Sequence, residues 1–292
     1  MIESSAFRRR LQVRRASGAL FAVVCLGAAL AGIAMLALLL VTVAGDGLSR
    51  LSWDFVNSFP SRHPEEAGIK SALYGTLWLM GFTALFAVPL GIGAAIYLEE
   101  FAPRNWVTRI IETNINNLAG VPSIVYGILG LAVFVRAMDL GRSILAGSLT
   151  MALLILPIII VASREGLRAV PQSIRDGSFA LGATRWQAVR FQVLPAALPS
   201  MMTGVILALS RAIGETAPLI FLGALLFIPF TPSGPMDRFT ALPIQIFNWV
   251  SRPQAEFQTN AAAGILVLLI VLLAMNGAAI VLRNWFERKR AW

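Results

Sequence analysis

Six apolar stretches, at about 19–44, 71–98, 106–135, 143–162, 196–226 and 260–282, follow one another with mostly short polar segments between them. Each reaches the roughly 20 residues that a helix needs to cross the hydrocarbon core of a bilayer. No water is present there to satisfy backbone N–H and C=O groups, so a spanning segment closes its hydrogen bonds within itself as a helix. The expected fold is therefore an all-α polytopic membrane protein with six transmembrane helices. Charged residues are only 13% of the chain, against about 25% in a soluble domain. No connecting segment is long enough for a separate globular domain. Residues 1–17 read as a short N-terminal segment and 18–292 as one transmembrane domain.

The arginines orient these spans. Arg8, Arg9, Arg10, Arg14 and Arg15 precede the first apolar run, which is about twice as long as the 7–15-residue core of a cleaved signal peptide. It reads as a retained helix with its N-terminus inside. With six spans, sixteen Lys/Arg fall in the inner segments and seven in the outer loops, while Arg211 lies within a span. That bias places both termini in the cytoplasm. The net charge of +9 is accounted for by these anchors and does not call for nucleic acid. The outer segment 45–70 carries Trp53, Phe55 and Phe59 beside Pro60 and Pro64, and reads as interfacial. The outer loop 227–259 is rich in proline.

Polar residues inside spans face a bundle interior or a cavity, because lipid penalises them. The third span holds Glu112, Asn114, Asn116 and Asn117, followed by LAGVPSIVYG (118–127) with Pro122, Ser123 and Tyr126. These groups either line a path or join helices by hydrogen bonds. In the fifth span, Arg211 stands 16 residues beyond Pro195, roughly 24 Å along a helix. Glu215 is four residues on, one turn away. The pair is either a structural lock or a positive feature on an anion path. The chemistry of the site favours the path, with Arg211, Glu215, Thr216, Asn117, Ser123 and Tyr126 as candidates.

The longest polar interruption on the inner side is Arg164–Pro195, with Arg164, Arg168, Arg175, Arg185 and Arg190. Its local signals predict two short helices. Pro171 suits the first helical position, where its missing N–H costs nothing. Gly182 suits the residue just past a helix end, where φ is often positive. Thr184 and Gln187 form a capping box for the second helix, and Leu194-Pro195 marks its far boundary. Ile174 and Leu181 share a face of the first helix, with Trp186 and Val189 following in the second. A segment this structured between two spans is built to be held by another protein.

The same residues exclude other chemistry. A phosphate-cradling loop needs a lysine after glycine, and neither Lys70 nor Lys289 follows one. His63 is the only histidine and Cys25 the only cysteine, so catalytic triads, disulfides and metal clusters lack their parts. The chain reads as no enzyme by itself.

The Arg164–Pro195 segment resembles the cytoplasmic Glu-Ala-Ala loop of binding-protein-dependent ABC importer permeases. Asp176-Gly177-Ser178 stands at the Glu-Ala-Ala positions, Gly182 and Leu194-Pro195 match, and Gln192 replaces an aliphatic residue. A narrower resemblance runs through LAGVPSIVYG (118–127), DGSFALGAT (176–184), VLPAALPSMMTGVILALSRAIGETAPL (193–219) and FTALPIQIF (239–247). Those stretches are similar to the phosphate permeases of the PstA group, and Thr216-Ala217-Pro218 favours that group over the PstC group. The resemblance implies a type I ABC importer permease fold in an inner membrane. It also implies a PstC-like second permease, two PstB-like ATPase subunits that bind the ATP and Mg, and a PstS-like external phosphate-binding protein. Asp176, Gly177, Ala180, Leu181, Gly182, Ala183, Thr184 and Trp186 would meet the ATPase. This chain itself would bind no cofactor.

Overall fold

A computed structural model describes residues 3–224 and 227–288, and no strand occurs among them. The helices are α1 (Glu3–Gly47), α2 (Trp53–Asn57), α3 (Lys70–Ile96), α4 (Trp106–Ala119), α5 (Ser123–Gly130), α6 (Ile144–Arg168), α7 (Gln172–Ala180), α8 (Arg185–Ala188), α9 (Leu194–Ile213), α10 (Ala217–Leu222), α11 (Leu242–Val250) and α12 (Glu256–Arg288). Wider π turns extend α3 (Tyr97–Phe101) and α5 (Leu131–Ala137) and join α8 to α9 (Val189–Val193). Among the described residues, five helical segments are long and apolar enough to cross a membrane. The count is six if α4 and α5, bent by 103°, form one span.

The bundle is built around α6. Ser143 starts this helix by accepting from the Ala146 N–H at 3.2 Å. It carries no charged residue until Arg164, and its only earlier polar side chains are Ser148, Thr150 and Ser163. Met151, Ile155 and Ile159 on α6 are fully buried among Leu79 and Met80 of α3 and Val205, Ala208 and Ala212 of α9. Lipid is as apolar as leucine, so close packing and interhelical hydrogen bonds, not water exclusion, hold such helices together. Both occur here. A Cβ at Gly204 of α9 would collide with Ala162 of α6. The Ser148 hydroxyl donates to the Leu79 carbonyl at 3.1 Å, joining α6 to α3. Helix α12 packs on α9 and α11, and α1 meets α12 near Gly47 and Ala262. The side chains of residues 17–42 of α1 that are described are exposed.

The two ends of the bundle differ. At the end opposite α7, the 45–70 segment folds back as a cap. Phe55 is buried, its ring 5.7 Å from that of Trp249. Arg50 fastens this cap by donating to Asn260 Oδ1 at 3.0 Å and to the carbonyls of Pro64 and Ala67, each at 3.2 Å. Trp53 is exposed, as an interfacial residue would be, but Phe55 is a core residue. The carbonyls of Asp237 and Pro235 cap α6 by accepting from Ile144 and Leu145 at 3.0 and 2.8 Å. The Asp237 carboxyl is held below the usual carboxylate range by the Ser233 N–H first, then by the Ser233 hydroxyl and the Gly234 N–H.

Several boundaries differ from the sequence reading. Helix α6 runs on to Arg168, so Arg164 and Arg168 belong to it rather than to the loop. The fifth span ends at Ile213 instead of continuing to 226, and Leu225 and Leu226 lie outside the described residues. The sixth begins at Glu256. Leu194-Pro195 is no boundary, because α8, the π turn and α9 form one continuous rod. There the Leu194 N–H bonds to the Val189 carbonyl five residues back. That wider register accommodates a proline, which lacks a donor of its own. Lys289 and Arg290 lie outside the described residues.

Candidate functional site

Two interruptions of the bundle face each other. The first separates α4 from α5 at Gly120-Val121-Pro122, where the chain turns by 103°. Pro122 brings φ −54° and ψ 134° to the position before α5 and offers no N–H. Tyr126 is buried, and its hydroxyl donates to the Leu118 carbonyl at 2.8 Å, pinning the bend. The second interruption is Gly214-Glu215-Thr216, between α9 and α10, with Pro218 in the first turn of the new helix. The short helices that follow the breaks pack together. A Cβ at Gly127 of α5 would come within 2.7 Å of Pro218 Cα on α10.

The path candidates are distributed around these breaks. Arg211 Nε donates to Glu215 Oε1 at 3.2 Å, with side-chain exposures of 49% and 17%. The pair bridges the end of α9 rather than two turns of one helix, because α9 stops at Ile213. One residue earlier, the Ser210 hydroxyl lies 2.6 Å from Asn276 Oδ1 and ties α9 to α12. Thr216 and Ser123 are half-buried and Asn117 is exposed. Arg211 is thus open on the surface of this chain, while Tyr126 is committed to the bend. Helix α4, which precedes the first break, buries none of its residues. Its Trp106, Val107, Ile110 and Ile111 are exposed.

The 164–195 segment forms two short helices and a turn, α7 and α8. Pro171 is the residue before α7 rather than its first helical residue. Gly182 has φ +80°. The Thr184–Gln187 capping box is present in both directions. Ile174 packs on the core cluster of Leu98, Leu167 and Met201, and Val189 is buried. Leu181 does not share that face. It lies one residue beyond α7, 91% exposed. Asp176, Gly177, Ala180 and Trp186 are exposed as well, and Ala183 is half-buried. The Asp176 carboxylate accepts from Gln172 Nε2 at 3.2 Å. Trp186 stands 6.2 Å from the Phe101 ring, and the Arg185 guanidinium lies over the same ring at 5.4 Å.

Beneath this open face is a network that sequence reasoning missed. Arg175 of α7 pairs with Glu100 at 2.6 Å and also donates to the Val170 and Leu167 carbonyls at 2.8 and 3.0 Å. Arg164, with a side chain 7% exposed, bridges Glu99 at 3.3 Å and Glu112 of α4 at 2.6 Å. Arg168 reaches Glu99 at 3.0 Å. Removing one member of a buried pair costs about 3–5 kcal/mol, because the other charge is left without compensation. Two arginines that read as a surface for a partner, Arg164 and Arg175, are taken up inside the chain, while Arg168 stays exposed beside them. The signal was the Glu99-Glu100 doublet at the end of a span, a placement that asks for buried cations. A cleft of about 980 Å³ opens beside the network, lined among others by Arg104, Trp106, Arg109 and Arg185.

A helical bundle with interrupted spans and a folded segment standing outside it is the architecture of a membrane transport permease. The chain belongs to the binding-protein-dependent transport system inner membrane component family, whose pattern matches residues 87–292. It is 33% identical over 241 residues to the probable ABC transporter permease protein YqgI of Bacillus subtilis, covering 78% of this chain and 82% of that one. It is 31% identical over 285 residues to the phosphate transport system permease protein PstA of Yersinia pestis, covering 97% of this chain and 95% of that one. Among solved structures it is similar in fold to a chain of the MetNI methionine ABC transporter in an inward-facing conformation. The TM-score is 0.58 at 18% identity, over 74% of this chain and 96% of that one. The type I importer permease fold expected from the sequence is the fold observed.

Proposed function

We propose that this chain is a permease subunit of an ATP-driven importer of inorganic phosphate. One observation carries the choice of solute. The similarity to a phosphate transport system permease extends over 97% of the chain, so it takes in both interrupted spans and the α7–α8 segment together. The chain would act beside a PstC-like second permease, two PstB-like ATPase subunits and a PstS-like external receptor. ATP and Mg would be bound by the ATPase subunits, and this chain would hold no cofactor. Both termini and α7–α8 lie in the cytoplasm, and 18–292 acts as one permease domain.

In this reading the receptor releases phosphate at the outer loops. ATP closes the ATPase dimer against the exposed face of Asp176, Leu181, Gly182 and Trp186, and residues 172–188 carry that motion into the spans. The cavity between the two permeases then changes sides, with Arg211 and its partner Glu215 at its edge, and hydrolysis resets it. The planar guanidinium suits phosphate, whose oxygens it meets two at a time. Uptake of labelled phosphate in a strain lacking only this chain is the test. Uptake should fall to background and return when the gene is restored. Undiminished uptake through the same binding-protein-dependent route in that strain would overturn the assignment to phosphate.

A further inference from the structure

We infer that Arg164 and Glu112 are positioning residues that pass the movement of α7 to the broken third span. The inference rests on the reading of 172–188 as the segment moved by the ATPase. Four ionic contacts make a continuous chain across four elements: α7, the π turn that ends α3, α6 and α4. Arg175 of α7 grips Glu100 at 2.6 Å. Glu99, the adjacent residue of the same π turn, takes Arg164 at 3.3 Å and Arg168 at 3.0 Å, both on α6. Arg164 then reaches Glu112 on α4 at 2.6 Å. The two acidic neighbours thus point one toward the moving helix and one toward α6, whose Arg164 reaches the span that must respond.

The last contact matters because α4 is otherwise loosely held. It buries no residue, and its pair with Arg164 is the one ion pair it makes among the described residues. The half-buried Ile115 adds an apolar contact at the same end. From α4 the chain passes through the Pro122 bend to α5, which lies against Pro218 of α10, just beyond Arg211 and Glu215. A displaced α7 therefore pulls on α4 through the buried Arg175–Glu100 pair and the buried Arg164 guanidinium, where such contacts are stiffer than in water. Arg164 suits this position better than a lysine would, since its fork can hold two carboxylates at once.

The test uses the whole transporter in proteoliposomes, with Cys25 replaced and spin labels placed on Ser173 of α7 and Asn116 of α4, each read against a fixed reference label. In the unsubstituted complex, ATP should displace both. In Glu112→Gln, α7 should still move, α4 should not, and phosphate uptake should drop about tenfold, a common size for coupling between sites. Glu112→Asp keeps the charge on a shorter arm and should restore both readouts in part. It also carries the test should the glutamine variant fail to assemble. An α4 label that moves normally in an assembled Glu112→Gln complex, with normal uptake, overturns the inference. An α7 label that stays still in the unsubstituted complex overturns the coupling reading itself, and this inference with it.

Discussion

Arg211 combines two properties that rarely meet in a membrane span. It carries a charge, and half of its side chain is exposed on the surface of the chain. A purely structural pair would be expected to turn inward, as Arg164 and Arg175 do with side chains 7% and 13% exposed. In the proposed complex, an arginine facing outward from one permease would line a cavity shared with a second. Arg211→Gln should therefore abolish phosphate uptake while the complex still assembles, since an anion would cross a low-dielectric cavity with no positive charge to meet it. Arg211→Lys should keep partial uptake, because the charge remains but the two-pronged geometry is gone. Uptake into vesicles, with assembly checked by co-purification, measures both. The discriminating case is the double variant Arg211→Gln with Glu215→Gln. Normal transport by that protein would reduce the pair to a structural lock.

At the scale of elements, legibility followed the range of the interactions. The capping box at Thr184 and Gln187 and the positive φ of Gly182 are local, depend on residues within one turn, and were readable. The bend at Pro122 was only half readable. The residues that make it were visible, but a 103° turn rather than a kink is fixed by Tyr126 reaching Leu118 and by the fit of Gly127 to Pro218. The acidic doublet at Glu99 and Glu100 signals a need for cations, but its partners lie 65 and 75 positions away, and no local pattern says which residues they are. Phe55 was misread for the same reason, since its neighbour Trp249 lies far along the chain. The turn between α7 and α8 offers a test of the local part. No atom lies within 4 Å of where a Gly182 side chain would begin, so substitution there meets only backbone strain. Gly182→Val should cost roughly 1–2 kcal/mol in the turn. In the purified complex it should loosen the ATPase subunits or uncouple their hydrolysis from transport. Gly182→Asn tolerates the left-handed region better and should come close to normal behaviour. Normal retention of the ATPase and normal coupled hydrolysis in the valine variant would remove this turn from the coupling path.

For the whole molecule, the arginine bias and the fold make a joint claim about sides. Helix α6 joins the two ends of the bundle. Its first residues are capped by the loop that holds Ser233, Pro235 and Asp237, and its last turn leads directly into α7. The 25 residues of α6 span about 37 Å at the helical rise, more than the hydrocarbon core. Ser233 and Ser178 are therefore on opposite sides of the membrane whatever the orientation of the bundle. The excess of sixteen inner Lys/Arg over seven outer ones predicts which side is which. With Cys25 replaced, a cysteine at the exposed Ser233 should react with a membrane-impermeant thiol reagent in intact cells. One at Ser178 should react only after the cells are permeabilised. Labelling of both in intact cells would break the claim that α6 crosses the bilayer. The reversed pattern would leave the fold standing but turn the protein over, placing α7 and α8 where no ATP-driven partner could reach them.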